Sequence, residues 1–93
     1  MIHETALIHE NVIIGKNVYI GPYCVIGFPA EHKEYWGKDS DYSVIIKDNT
    51  IITGMATIDA GTVRDTVIGS NCFLMKKIHL GHDVVLKDNV TIA

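Results

Sequence analysis

The sequence has no apolar run approaching the roughly 20 residues needed to cross a bilayer, no excess of positive charge, and only two cysteines. The first absence argues against an integral membrane protein. A net charge of −3 makes nucleic acid an unfavourable partner. The regular pattern described below is entered at Ile2, leaving no room for a signal peptide, so the cytoplasm is the expected compartment. A chain this short has a thin core for the number of residues it must order, which makes self-association the expected supplement.

What the chain does have is a period of six. Ile2, Ile8, Ile14, Ile20, Ile26, Ile46, Ile52, Ile58, Ile68, Leu74, Leu80, Leu86 and Ile92 share one phase, broken only between Ile26 and Ile46 and between Ile58 and Ile68. Two residues before most of them sits a small or β-branched residue, such as Ala6, Val12, Cys24, Val44, Ala56 or Cys72; Ile78 is the largest exception. Residues two apart in a strand face the same side, so both members of each pair point inward and the residue between them points out. Each hexad therefore reads as a short strand and a turn, and a short fixed period of this kind predicts a solenoid of parallel strands over residues 1–93. Cys24 and Cys72 both take the small inward position but fall on different walls, which predicts buried free thiols and no disulfide. Outward apolar residues such as Leu7, Ile13, Val25, Phe73 and Val85 offer a surface for association.

The repeat resembles that of the hexapeptide-repeat, left-handed β-helix proteins. The resemblance covers nearly the whole chain and implies an all-β, single-stranded left-handed parallel β-helix of about four to five triangular coils, about eighteen residues each. It also implies a homotrimer with parallel axes. The left hand comes from the resemblance alone, because the general rule for parallel crossovers favours the right hand.

The first break, a predicted external loop over residues 28–43, contains Pro29, Gly37, alternating charge and the aromatic residues Phe28, Tyr35, Trp36 and Tyr42. Its His32, Lys33, Tyr35 and Trp36 could contact a sugar or nucleotide, or its aromatics could pack on the outer wall or a neighbouring subunit. The second, around residues 64–67, reads as a widened corner where Arg64 and Asp65 are placed to pair.

The segment Leu74–Asp83, LMKKIHLGHD, carries the candidate chemistry. His79 immediately precedes the inward Leu80 and should point out; His82 and Asp83 follow Gly81 at the next corner. A carboxylate on one imidazole nitrogen fixes the tautomer and raises the basicity of the other. Contact between adjacent residues needs a turn, which Gly81 is expected to supply. The run IHLGHD is similar to the His-x-x-His-Asp segment of the acyl-carrier-protein-dependent UDP-N-acetylglucosamine O-acyltransferases. That resemblance implies His82 as general base, Asp83 as its support and His79 near substrate. It also implies a carrier-protein or coenzyme A thioester as acyl donor, a nucleotide sugar as acceptor, and no resident cofactor. Lys33 and Tyr35 correspond to the family's Lys-Tyr sugar-contact pair, here separated by Glu34. Lys76 and Lys77 near the histidines could attract a phosphate. Related N-acyltransferases usually carry His-Asn here, so Asp83 points to the O-acyl branch.

The chain departs from that family in two places. Asp59-Ala60-Gly61-Thr62 stands where the family has His-Arg-Gly-Thr. The family's helix also runs for about twice as many coils, and its oxyanion donor and much of its acyl groove come from the part beyond this chain. A noncatalytic trimeric scaffold is thus the alternative to an acyltransferase. A third reading, a zinc site of the kind in hexapeptide-repeat carbonic anhydrases, would use His79 and His82 with His32. Their spacing is closer than in those enzymes, and no metal ligands are assigned.

Overall fold

Inward pairs recurring every six residues make short strands joined by turns, and in the computed structural model, which describes residues 1–93, these strands close into three walls with no helix. The first coil carries β1 (Leu7–Ile8), β2 (Val12–Ile14) and β3 (Tyr19–Ile20), and the second β4 (Val25–Phe28), β5 (Val44–Ile46) and β6 (Ile51–Ile52). The third carries β7 (Thr57–Asp59), β8 (Thr66–Ile68) and β9 (Phe73–Leu74), and the fourth β10 (His79–Leu80), β11 (Val85–Leu86) and β12 (Thr91–Ile92). Like strands of successive coils stack into three parallel sheets: β1-β4-β7-β10 (the first wall), β2-β5-β8-β11 (the second) and β3-β6-β9-β12 (the third), which Ile2 extends by a bridge to Ile20.

The register keeps each phase position above its equivalent. On the first wall Ile8, Ile26, Ile58 and Leu80 line up inward, and Leu7, Val25, Thr57 and His79 line up outward. Ile20, Ile26, Ile46, Ile52, Ile58, Ile68 and Leu74 are at most 1% exposed. Burial fades toward the two end coils, where Ile8, Ile14, Leu86 and Ile92 are half-buried and Ile2 is 46% exposed, because each has a coil on one side only. The small partners Cys24, Val44, Ala56 and Cys72 fill the space between the aliphatic columns. Both thiols are free, Cys24 entering the first wall and Cys72 the third. On the outer surface of the second wall Ile13, Ile45, Val67 and Val85 form one apolar column.

The corners between the walls differ in kind. Between the second and third walls the turns are alike in every coil: Asn17, Asn49, Asn71 and Asn89 all sit in the left-handed region, with φ between 57° and 62°. Asn is among the few non-glycine residues that tolerate that conformation. Beside them the Asp48 and Asp88 carboxylates accept 2.8 Å hydrogen bonds from the amides of Lys16 and Ser70 in the coil before.

Both interruptions leave from the corner between the first and second walls. A bulge after Ile26, with Gly27 at φ 95°, extends β4 by one residue so that Phe28 pairs with Asp59. Phe28 is therefore wall, and the loop proper covers residues 29–43. It is tied down by Ala30, 2% exposed, by the Ser40 hydroxyl donating to the Gly61 carbonyl (2.6 Å), and by the Asn11 amide donating to the Tyr42 carbonyl (3.1 Å).

Candidate active site

Asp83 organises the corner where the loop departs. Its backbone is left-handed, φ 68°, and Gly81 is not, so the turn that brings His82 and Asp83 together is made by Asp83 itself rather than by the glycine. The carboxylate then reaches back to the coil before. Oδ1 accepts hydrogen bonds from the amides of Thr62 (2.7 Å), Val63 (3.0 Å) and Arg64 (3.2 Å), and Oδ2 accepts one from the Thr62 hydroxyl (2.6 Å). Gly61 is required here, since a Cβ on it would overlap the Arg64 carbonyl and crowd the Asp83 carboxylate. Arg64 does not pair with Asp65 as the sequence suggests. Its Nε donates to the Asp83 carbonyl (2.8 Å), while Asp65 accepts the Ser43 amide (2.8 Å), because each finds a backbone partner in a neighbouring coil.

Oδ2 of Asp83 also lies 2.6 Å from His82 Nδ1. Burial works to raise the pKa of the Asp83 carboxyl, but the hydrogen bonds from His82, from the Thr62 hydroxyl and from the Val63 and Thr62 amides outweigh it, holding the group well below the usual carboxylate range. An ionised acceptor on Nδ1 places the proton there and leaves the lone pair on Nε2. The His82 side chain is about one-third exposed. His32 of the loop packs edge-on against the His82 ring at 6.0 Å between centroids, and Tyr35 packs edge-on against His32 at 5.2 Å.

His79 is exposed on the first wall, as its phase requires. Its Nδ1 lies 2.7 Å from the hydroxyl of Thr57, the equivalent residue one coil earlier. Its Nε2 faces two carboxylates, Glu31 Oε1 at 3.5 Å and Asp59 Oδ2 at 3.8 Å. Asp59 follows the inward Ile58 and by alternation should be exposed, yet it is only 7% exposed. It pairs with Phe28 where the loop departs, close to Glu31. Its Oδ2 is buried without a hydrogen-bond partner. Burial raises its pKa above the ordinary value, the His79 charge opposes this, and the Glu31 charge adds to it.

The structure thus brings His79, His82 and Asp83 together with the base of the loop. Lys33 and Trp36 line an open cleft with Glu31 and His32, and Tyr35 reaches the histidines only through His32. Trp36 is 68% exposed rather than packed on the wall. Lys76 lies apart, at the corner before β10, exposed and with neither a hydrogen bond nor an ion pair to the histidines. The sequence assigns no site role to Thr57, Thr62 or Glu31. The register offered a signal for Thr57, which occupies the outward position of His79 one coil earlier; nothing in the periodicity could locate Glu31.

Three in-register parallel walls built on hexads make a parallel β-helix, and residues 1–29 match the family model described as bacterial transferase hexapeptide (six repeats), which makes the fold the left-handed β-helix of that type. The chain is a hexapeptide-repeat domain homologous to the acyl-[acyl-carrier-protein]–UDP-N-acetylglucosamine O-acyltransferases. The one from Aliivibrio fischeri is 33% identical over 72 residues, covering 74% of this chain and 27% of that protein. The UDP-3-O-acylglucosamine N-acyltransferase of Hydrogenovibrio crunogenus is 34% identical over 77 residues, covering 77% of this chain and 22% of the relative. The chain therefore spans about a quarter of the length of these relatives. The structure of an Arabidopsis UDP-N-acetylglucosamine acyltransferase matches 98% of this chain and 56% of its own at a TM-score of 0.54 and 20% identity, a likeness of fold. No helix is long and apolar enough to cross a membrane.

Proposed function

We propose that this domain carries the general base of an acyltransferase acting on a nucleotide sugar. In this reading His82 Nε2 removes the proton of a sugar hydroxyl as its oxygen attacks the carbonyl of an acyl thioester borne by acyl carrier protein or coenzyme A. Collapse of the tetrahedral intermediate breaks the C–S bond, and the thiol leaves with the proton held by the imidazolium. Asp83 fixes the His82 tautomer and stabilises its charge. His79, Lys33 and Tyr35 stand on the acceptor side, with the exposed Trp36 face available to a sugar or base. Lys76 is left outside the site. The apolar column of the second wall is the surface for the homotrimer.

The observation that carries this reading is the 2.6 Å contact between His82 Nδ1 and a carboxylate already pinned by the preceding coil. Transfer from an acyl carrier protein thioester to UDP-N-acetylglucosamine, followed by thiol release, tests it. His82→Ala should lower the rate about 10²–10⁴-fold with only a small loss of melting temperature, because the Asp83 carboxylate keeps its bonds to the 62–64 turn. Unchanged turnover in that variant would reject the proposal. One observation favours the alternative of a noncatalytic scaffold: Asp83 caps the 62–64 turn whether or not His82 does chemistry. Turnover that depends on His82 separates the two.

A further inference from the structure

Glu31, Asp59 and His79 meet without satisfying one another. His79 Nε2 lies 3.5 Å from Glu31 Oε1 and 3.8 Å from Asp59 Oδ2, and all three atoms lie within 4.8 Å of one another. Hydrogen bonds between such groups run to about 3.2 Å, so these separations are too long for them. Ligands about 2.0–2.1 Å from a shared tetrahedral ion stand about 3.4 Å apart, and the two separations from His79 Nε2, 3.5 Å and 3.8 Å, lie within a few tenths of an ångström of that spacing. Two further features point to an occupant. Asp59 Oδ2 is buried, has no partner, and faces the gap between the other two groups. The Thr57 hydroxyl at 2.7 Å from His79 Nδ1 is an outer partner of the kind that holds a metal-binding imidazole with Nε2 presented.

We propose that Glu31, Asp59 and His79 bind a divalent first-row transition cation, with the fourth position open to solvent on the loop side. One imidazole with two carboxylates suits Zn²⁺ or Mn²⁺ better than Ca²⁺ or Mg²⁺, which favour all-oxygen shells. The site is separate from the His82–Asp83 pair, and the base assignment does not depend on it. It also differs from a histidine-only zinc site, because two of its three ligands are carboxylates.

Zn²⁺ titration of the chelator-stripped chain, followed calorimetrically and by thermal shift, tests this. The expected result is one Zn²⁺ per chain with a rise in melting temperature. Binding should weaken at least about tenfold in Asp59→Asn and His79→Gln, less in Thr57→Val, and stay unchanged in His82→Ala. Glu31→Gln, in an exposed loop, supplies a ligand change that does not threaten the fold. No stoichiometric binding by the wild-type chain, equal binding in Asp59→Asn and Glu31→Gln, or binding abolished by His82→Ala would each overturn the assignment.

Discussion

The corner joining the second and third walls is the same in every coil, whereas the corner joining the first and second takes up a left-handed residue of that kind at Asp83, in the fourth coil, and it is this corner that carries candidate chemistry. At the former, each coil repeats an Asn in the left-handed region, and an Asp of one coil accepts one amide of the coil before, as Asp48 and Asp88 do. At the latter the same device is enlarged. Asp83 takes the left-handed position itself and accepts three amides, a hydroxyl and an imidazole. The four extra residues between Ile58 and Ile68 supply those amides, and the loop of residues 29–43 leaves from the same edge. Chemistry is added where a structural contact already existed, by giving a coil-to-coil cap one more partner.

The comparison can be broken at either corner or in the core between them. The largest effect on the fold is expected from Ile52→Ala, which empties a fully buried site in the third wall and should cost about 2–5 kcal/mol. Chemical denaturation reads this directly, and any activity should fall with the folded fraction, unlike in His82→Ala. Asp83→Ala should cost about 1–3 kcal/mol by leaving the 62–64 amides without their acceptor. It should also abolish base catalysis, so stability and turnover fall together at this corner.

The acid limb sharpens the point. The folded pKa of Asp83 lies well below its unfolded value near about 4, so its contribution to stability is complete above that value. That contribution is lost progressively as the pH falls from about 4 toward the folded pKa. Asp83→Asn should flatten this part of a stability–pH curve; an unaltered curve would show that Asp83 is not its source. At the regular corner the smallest effect is expected. Asn71→Ala must hold a left-handed backbone and should lose about 1 kcal/mol, while Asn71→Gly should be near neutral. Melting of the two variants side by side checks this.

Much of the fold was legible because a period of six names the inward face at each rung, and a parallel register then carries Ile26 over Ile8 and Ile58 over Ile26. The outward course of His79 and the separate walls of Cys24 and Cys72 follow from the same phase. What lay outside the period was not legible. The sequence suggested Gly81 as the turn because glycine is the usual occupant of the left-handed region, yet Asp83 takes it, stabilised by bonds to a coil 19 to 21 residues away. Asp59 reads as an exposed residue by alternation and is buried where Phe28, past the bulge at Gly27, pairs with it. Arg64 and Asp65 look like a pair in one dimension, but stacked coils offer each a closer backbone partner. Coil-to-coil contacts of this kind depend on where the two insertions leave the wall, which hydrophobic phase does not encode.

The account rests on Asp83 holding the Nδ1 proton of His82 and leaving Nε2 as the proton acceptor. Nitrogen-15 NMR of the imidazole side chains, recorded near neutral pH with His82→Ala used for assignment, measures this without any substrate. The Nδ1–H tautomer is expected for His82 in the wild-type chain, with a return toward the ordinary Nε2–H preference in Asp83→Asn. A wild-type His82 found as the Nε2–H tautomer, or one indifferent to Asp83→Asn, would contradict it.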